Sequence, residues 1–165
     1  MTFQLAEQSA ESKTELYGNL AAQLRSLFAD ERDFIANAAN LSSLLYASLP
    51  DLNWAGLYIY KGGELVLGPF QGKPACVRIA LGSGVCGTAA LERQTVVVAN
   101  VHDFPGHIAC DSASNSEIVA PIIKGDELIG VLDLDSPSCG RFDDEDAQGL
   151  NELVRIFVES CDLGT

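Results

Sequence analysis

Two blocks near the start of the chain carry apolar side chains at helical spacing. Leu16, Leu20, Leu24, Leu27 and Phe28 follow "SKTE", where Ser12 and Glu15 have capping-box spacing. A second helix is predicted from about Glu31, with Phe34, Ile35, Ala38, Leu41, Leu45 and Leu49 on its apolar side and Pro50 as its stop. After that the pattern changes to strands. "NWAGLYIY", a turn at "KGG" and "ELVLGPF" predict a hairpin, and "ACVRIAL" a third strand that carries Cys76. "GSGVCGTAALERQ" reads as a glycine-rich loop entering a short helix near Cys86, and "TVVVANV" as a fourth strand. "EIVAPIIKGDELIGVLDLDS" predicts a second hairpin turning at "KGDE". "GRFDDEDAQGLNELVRIFVES" closes the chain as a helix. Its first turn is acidic, favourable at the positive end of the helix dipole, and Leu150, Leu153, Val154 and Phe157 face inward.

These elements do not alternate as βαβ units. They predict an α+β domain with a largely antiparallel central sheet and N-terminal and C-terminal helices packed on it. The polar residues 1–12 are expected to form a flexible segment and residues 13–165 a single domain. A formal charge of −13 repels phosphate backbones and anionic lipid, which argues against nucleic acid and membranes as partners. No apolar run approaches a membrane span and the start does not read as a secretory signal, so a cytoplasmic location is expected. Five cysteines, at 76, 86, 110, 139 and 161, do not read as a disulfide framework, and no CxxC pair occurs.

Three stretches could carry chemistry. Cys110 lies in "GHIACDSASNSEI", a long loop of small polar residues that suits a pocket better than a core. Cys86 sits at a helix start, where a thiol pKa is expected to fall, and Cys76 lies upstream; the bland alternative is that these sulfurs are small fillers. His102, His107 and Cys110 fit no standard zinc spacing, so no metal is expected from them. In "VLDLD", Asp133 and Asp135 share a strand face with Ile129 and Val131 and form a cradle for a cation, either a metal or an ammonium; otherwise they sit in water at a frayed strand end. Glu117 faces Asp135 across the hairpin if the turn has three residues, and Leu134 if it has two; Pro121 adds the option of a bulge. "LGSGVCG" offers backbone N–H groups to an anion, a carboxylate included. Together these point to an amino acid with an electrophilic side chain, for which Trp54 supplies an apolar wall.

The strand "IGVLDLDS" followed by "RFDDEDAQGLNELV" resembles the end of a GAF domain. "NWAGLYIY", "LVLGPFQGKPACVRI", "GSGVCGTAA", "VHDFPGHIACDSASNSEIV" and "GVLDLDSP" are similar to the free methionine-(R)-sulfoxide reductases, a family that uses one GAF domain as an enzyme. The resemblance runs from about Leu16 to Phe157 and implies a GAF-like fold. It implies reduction of free methionine-(R)-sulfoxide to methionine, with Cys110 as the attacking thiol, Cys76 as the resolving thiol and Cys86 as an alternative resolver in the same site. Glu117, Asp133 and Asp135 would bind the substrate ammonium, and Trp54 would stand near its methyl group. No bound cofactor is implied; thioredoxin would be the external reductant, and the protein would form a homodimer. The rival expectations are a non-catalytic GAF module that senses a small molecule, and a thiol peroxidase or redox sensor that needs no amino-acid cradle.

Overall fold

The structure, a computed structural model, describes residues 12–107 and 112–163. Helices α1 (Lys13–Leu27) and α2 (Phe34–Ser48) come first, followed by strands β1 (Trp54–Lys61), β2 (Glu64–Gly72) and β3 (Arg78–Ala80). Helix α3 (Gly84–Glu92), strand β4 (Val96–Val98) and a 3-10 turn (Val101–Asp103) lead to β5 (Ser116–Lys124), β6 (Glu127–Ser136) and helix α4 (Asp144–Ser160). The strands form one six-stranded sheet in the order β3-β2-β1-β6-β5-β4, antiparallel at every pairing. This is the α+β architecture that the hydrophobic pattern predicts.

Local signals fix the helix ends. The Ser12–Glu15 capping box is formed, so Ser12 belongs to α1; the rest of the expected flexible segment lies outside the described residues. Asp33 caps α2 through a hydrogen bond from the Ala36 N–H, and Asp143 and Asp146 make a second capping box on α4. Asp146 also joins α4 to α1. It accepts hydrogen bonds from Lys13 Nζ (2.5 Å), Tyr17 Oη (3.0 Å) and Arg141 (3.2 Å) while fully buried. A buried carboxylate is tolerated where it is satisfied this completely.

Each face of the sheet has its own covering. On one, Ala55, Leu57, Ile118, Ala120, Ile122, Leu132 and Leu134 share a core with α2 and α4, and α1 packs on α4 within the same core. On the other, Trp54, Tyr58, Val119 and Val131 pack with α3 and the loops around it. Within α2, Phe34, Ala38, Leu41 and Leu45 face the core as expected, but Ile35 is 52% exposed. One residue past Phe34 turns about 100° around a helix, which carries Ile35 off the inward stripe.

Two sequence expectations are corrected here, on Cys76 and on Ile129, and one open register is settled. The third strand spans only Arg78–Ala80, so Cys76 lies in the loop before it rather than on a strand. The late hairpin turns through two residues, with Lys124 opposite Glu127, yet Glu117 pairs with Asp135 and not with Leu134. A bulge reconciles the two: Ile122 faces Gly130 and Ile123 faces Leu128, so Ile129 is the extra residue. Consequently Ile129 packs on the helix-covered face, opposite to Val131, Asp133 and Asp135. Gly130 permits this local path, because a Cβ there would lie 2.1 Å from the Tyr58 carbonyl oxygen of β1.

Candidate functional site

β1, the C-terminal end of β6 and the N-terminal end of β5 bring Trp54, Tyr58, Glu117, Asp133 and Asp135 to one end of the sheet, on the face that α3 covers. They line a cavity there. Pairing places Trp54 opposite Asp135 on one side of β6 and Glu117 opposite Asp135 on the other, so one register joins the aromatic and acidic walls. The remaining lining comes from 73–75, from Ile79 on β3, from the start of α3 at Ser83–Cys86, and from His107 and Ser114.

Aromatic stacking builds the apolar wall. The Trp54 indole stacks on Phe70 (centroids 5.3 Å apart) and on Tyr58 (5.8 Å). Gly56 makes room for this stack: a Cβ there would meet Phe70 Cβ at 2.3 Å and the Trp54 ring at 2.7 Å. The polar tips of the same rings hold the next loop in place. Trp54 Nε1 donates to the Lys73 carbonyl (3.1 Å) and Tyr58 Oη to the Cys76 carbonyl (3.1 Å). The loop that carries Cys76 is thereby fixed at the cavity edge. Cys76 itself is disulfide-bonded, while Cys86, Cys139 and Cys161 are free thiols.

The acidic wall is dry. Glu117 and Asp133 are 7% and 5% exposed, Asp135 is half-buried, and Cys86 Sγ lies 3.9 Å from Glu117 Oε1. Burial pushes the Glu117 and Asp133 carboxyls well above the usual carboxylate range, and the charge of Asp135 pushes them further. The two carboxyls and Cys86 form one cluster, a ligand atom of each within 4.8 Å of the others, and burial favours a proton on the carboxyl pair. Asp133 Oδ1 is buried with no hydrogen-bond partner among the described residues. An orphaned acceptor this deep marks a place where a donor is to be supplied.

Cys86 corrects an expectation. Its position in the first turn of α3 should lower its pKa, but burial pushes the thiol well up and Asp133 and Glu117 add to the effect. A neutral, acid-flanked thiol is a poor nucleophile, and burial, with two carboxyls adding to it, outweighs one short helix dipole.

Of the residues singled out in the sequence, Trp54, Cys86, Glu117, Asp133 and Asp135 converge on the cavity, and Cys76 stands at its edge. Cys110 lies outside the described residues. His102 is exposed and bonded to Asn115 at 3.1 Å, whereas His107 lines the cavity with Nε2 3.8 Å from Glu117 Oε2. Sequence reasoning weighed His107 only as a metal ligand and did not single out Tyr58 or Lys73. Tyr58 was within reach, because Trp54 and Tyr58 have the even spacing of one strand face. For Lys73, in a loop with no periodicity, no such signal exists.

Comparison with known proteins gives a consistent picture. Residues 14–158 match the GAF domain model. The chain is 56% identical over 143 residues to the free methionine-R-sulfoxide reductase of Escherichia coli strain K12, covering 87% of each protein. A solved structure from Burkholderia vietnamiensis, described as a GAF sensor protein, shares 66% identity with a TM-score of 0.88, covering 91% of this chain and 96% of that one. The free methionine-R-sulfoxide reductase of Neisseria meningitidis, solved with its substrate, superposes with a TM-score of 0.91 at 43% identity over 96% and 95% of the two chains.

Proposed function

The chain belongs to the free methionine-R-sulfoxide reductases, a branch of the GAF domain family, and on that premise we propose that it reduces free methionine-(R)-sulfoxide to methionine. The observation that carries the reading is the buried acidic wall set beside an aromatic wall in one cavity. The substrate ammonium donates to the open Asp133 Oδ1, with Asp135 adding charge at the rim, and Glu117 keeps its proton. The substrate carboxylate faces the first turn of α3, where backbone N–H groups and the helix dipole favour an anion. Its methyl group lies against Trp54.

Cys110 is the attacking thiol in this reading. His107 and Ser114 flank it in sequence, and both line the cavity. Attack on the sulfoxide sulfur breaks the sulfur–oxygen bond and moves the oxygen to Cys110, which leaves methionine and a sulfenic acid. The departing oxygen is protonated by the acidic wall, where burial keeps a carboxyl in its acid form. Cys76 then displaces water from the sulfenic acid and closes a disulfide. The disulfide-bonded state of Cys76, beside three free thiols, supports its role as resolver. Thioredoxin restores both thiols by exchange, the protein acts in the cytoplasm as a homodimer, and no bound cofactor takes part. Among the described residues, no helix is long and apolar enough to cross a membrane.

The test is a coupled assay with thioredoxin, thioredoxin reductase and NADPH, run with each sulfoxide epimer separately. NADPH consumption with the R epimer, matched by free methionine and absent with the S epimer, is the expected result. No turnover with either epimer would favour a small-molecule sensor.

A further inference from the structure

Cys86 has no role in the chemistry above, yet it is buried against the acidic wall. One ligand atom each from Cys86, Glu117 and Asp133 lie within 4.8 Å of one another, and all three side chains are buried. One sulfur and two oxygens converging in this way are the donor set of a borderline-soft divalent cation rather than of magnesium or calcium, which take oxygen alone. The 3.9 Å from Cys86 Sγ to Glu117 Oε1 exceeds the ~3.5 Å edge of a tetrahedral site with metal–sulfur and metal–oxygen bonds of about 2.3 and 2.0 Å, but it lies within the combined reach of those two bonds to one cation. A second observation points the same way. Asp133 Oδ1 is an acceptor without a hydrogen-bond partner among the described residues, on a side chain that is 5% exposed and lines the cavity. His107 Nε2 is 3.8 Å from Glu117 Oε2, the other oxygen of that carboxyl, and His107 is not part of the three-residue cluster.

We propose that Cys86, Glu117 and Asp133 form an inhibitory binding site for Zn2+ and related thiophilic divalent cations inside the substrate cavity. Binding displaces the Cys86 proton and the proton that burial keeps on the carboxyl pair, both released to solvent; no electron is transferred. The cation and the substrate ammonium both use the Asp133 carboxylate, so they exclude each other. That exclusion rests on the reading of the cavity as an amino-acid site, whereas the metal site itself does not.

The two parts separate in one titration. Cd2+, which reports thiolate coordination by a charge-transfer absorption in the ultraviolet, is added to protein whose Cys76 disulfide is intact. One Cd2+ per chain should bind with that absorption. Cys86→Ser should abolish it, and Cys139→Ser and Cys161→Ser should leave it unchanged. Asp133→Asn, which keeps the thiol and the side-chain shape, should weaken binding by at least about tenfold. Zn2+ should displace Cd2+ and Mg2+ should not. No absorption, or an absorption that survives Cys86→Ser with Asp133→Asn binding as tightly as the parent, overturns the site. If Cd2+ binds as described, displacement by free methionine sulfoxide confirms the shared Asp133 carboxylate. Failure of the sulfoxide to displace it leaves the metal site standing and removes the substrate assignment.

Discussion

The two faces of the central sheet are built from the same strands and solve opposite problems. On the helix-covered face, Ile118, Ala120, Ile122, Leu132 and Leu134 are almost completely buried among leucines of α1, α2 and α4. On the other face the alternate positions of the same two strands include Glu117, Asp133 and Asp135, closed in by a nine-residue helix and loops. Burying acids without a fixed cation opposes folding, so the apolar face has to supply the surplus that holds the acidic one dry. The difference teaches where stability and chemistry reside: one residue along β6, from Leu132 to Asp133, separates them.

Substituting those neighbours breaks the comparison most sharply. Asp133→Asn should lower kcat/KM for methionine-(R)-sulfoxide by at least about a hundredfold, the scale of breaking a buried ion pair with the substrate ammonium. It should not lower stability, since asparagine keeps a donor toward Glu117 and removes one of the crowded acids; steady-state kinetics and urea unfolding of the same preparation read both. Leu132→Ala should do the reverse. Removing a fully buried leucine from the helix side should cost about 2–5 kcal/mol of unfolding free energy, with kcat retained well below the unfolding midpoint. Equal loss of stability in both variants would erase the distinction between the faces.

A smaller effect separates exposed from buried acids. The Lys13 ammonium beside Asp143, aided by backbone N–H donors, holds its carboxyl at about 2. A carboxyl lowered on folding stabilises the protein fully above its unfolded value near 3.8, and that contribution disappears as pH falls through about 2. Asp143→Asn should therefore flatten the fall of stability between those pH values and leave kcat unchanged at neutral pH. Thermal unfolding across that range measures it. Because Asp143 is exposed, the change should be modest.

Much of this organisation was legible in the residues because it is local. The Ser12 cap, the leucine stripes and the alternation in "VLDLD" each declare themselves within a few positions. The register that brings Glu117 opposite Asp135 was not legible. It depends on a bulge at Ile129, which in turn depends on how closely Gly130 approaches Tyr58 on β1, a neighbour about seventy residues away in sequence. The reversed character of Cys86 was hidden for the same reason, since its position predicts a helix-terminus effect while its acidic neighbours come from β5 and β6. His107 entered only as a metal-ligand candidate; its approach to Glu117 is a contact between a loop and a strand, with no periodicity to announce it.

The central claim is that the buried carboxyls recognise a free ammonium. The most direct measurement compares kcat/KM for free methionine-(R)-sulfoxide with that for its N-acetyl derivative, which keeps the sulfoxide and carboxylate but cannot carry a positive charge on nitrogen. The account predicts turnover of the free amino acid and a loss of at least about a hundredfold on acetylation. Comparable values for the two substrates would contradict it.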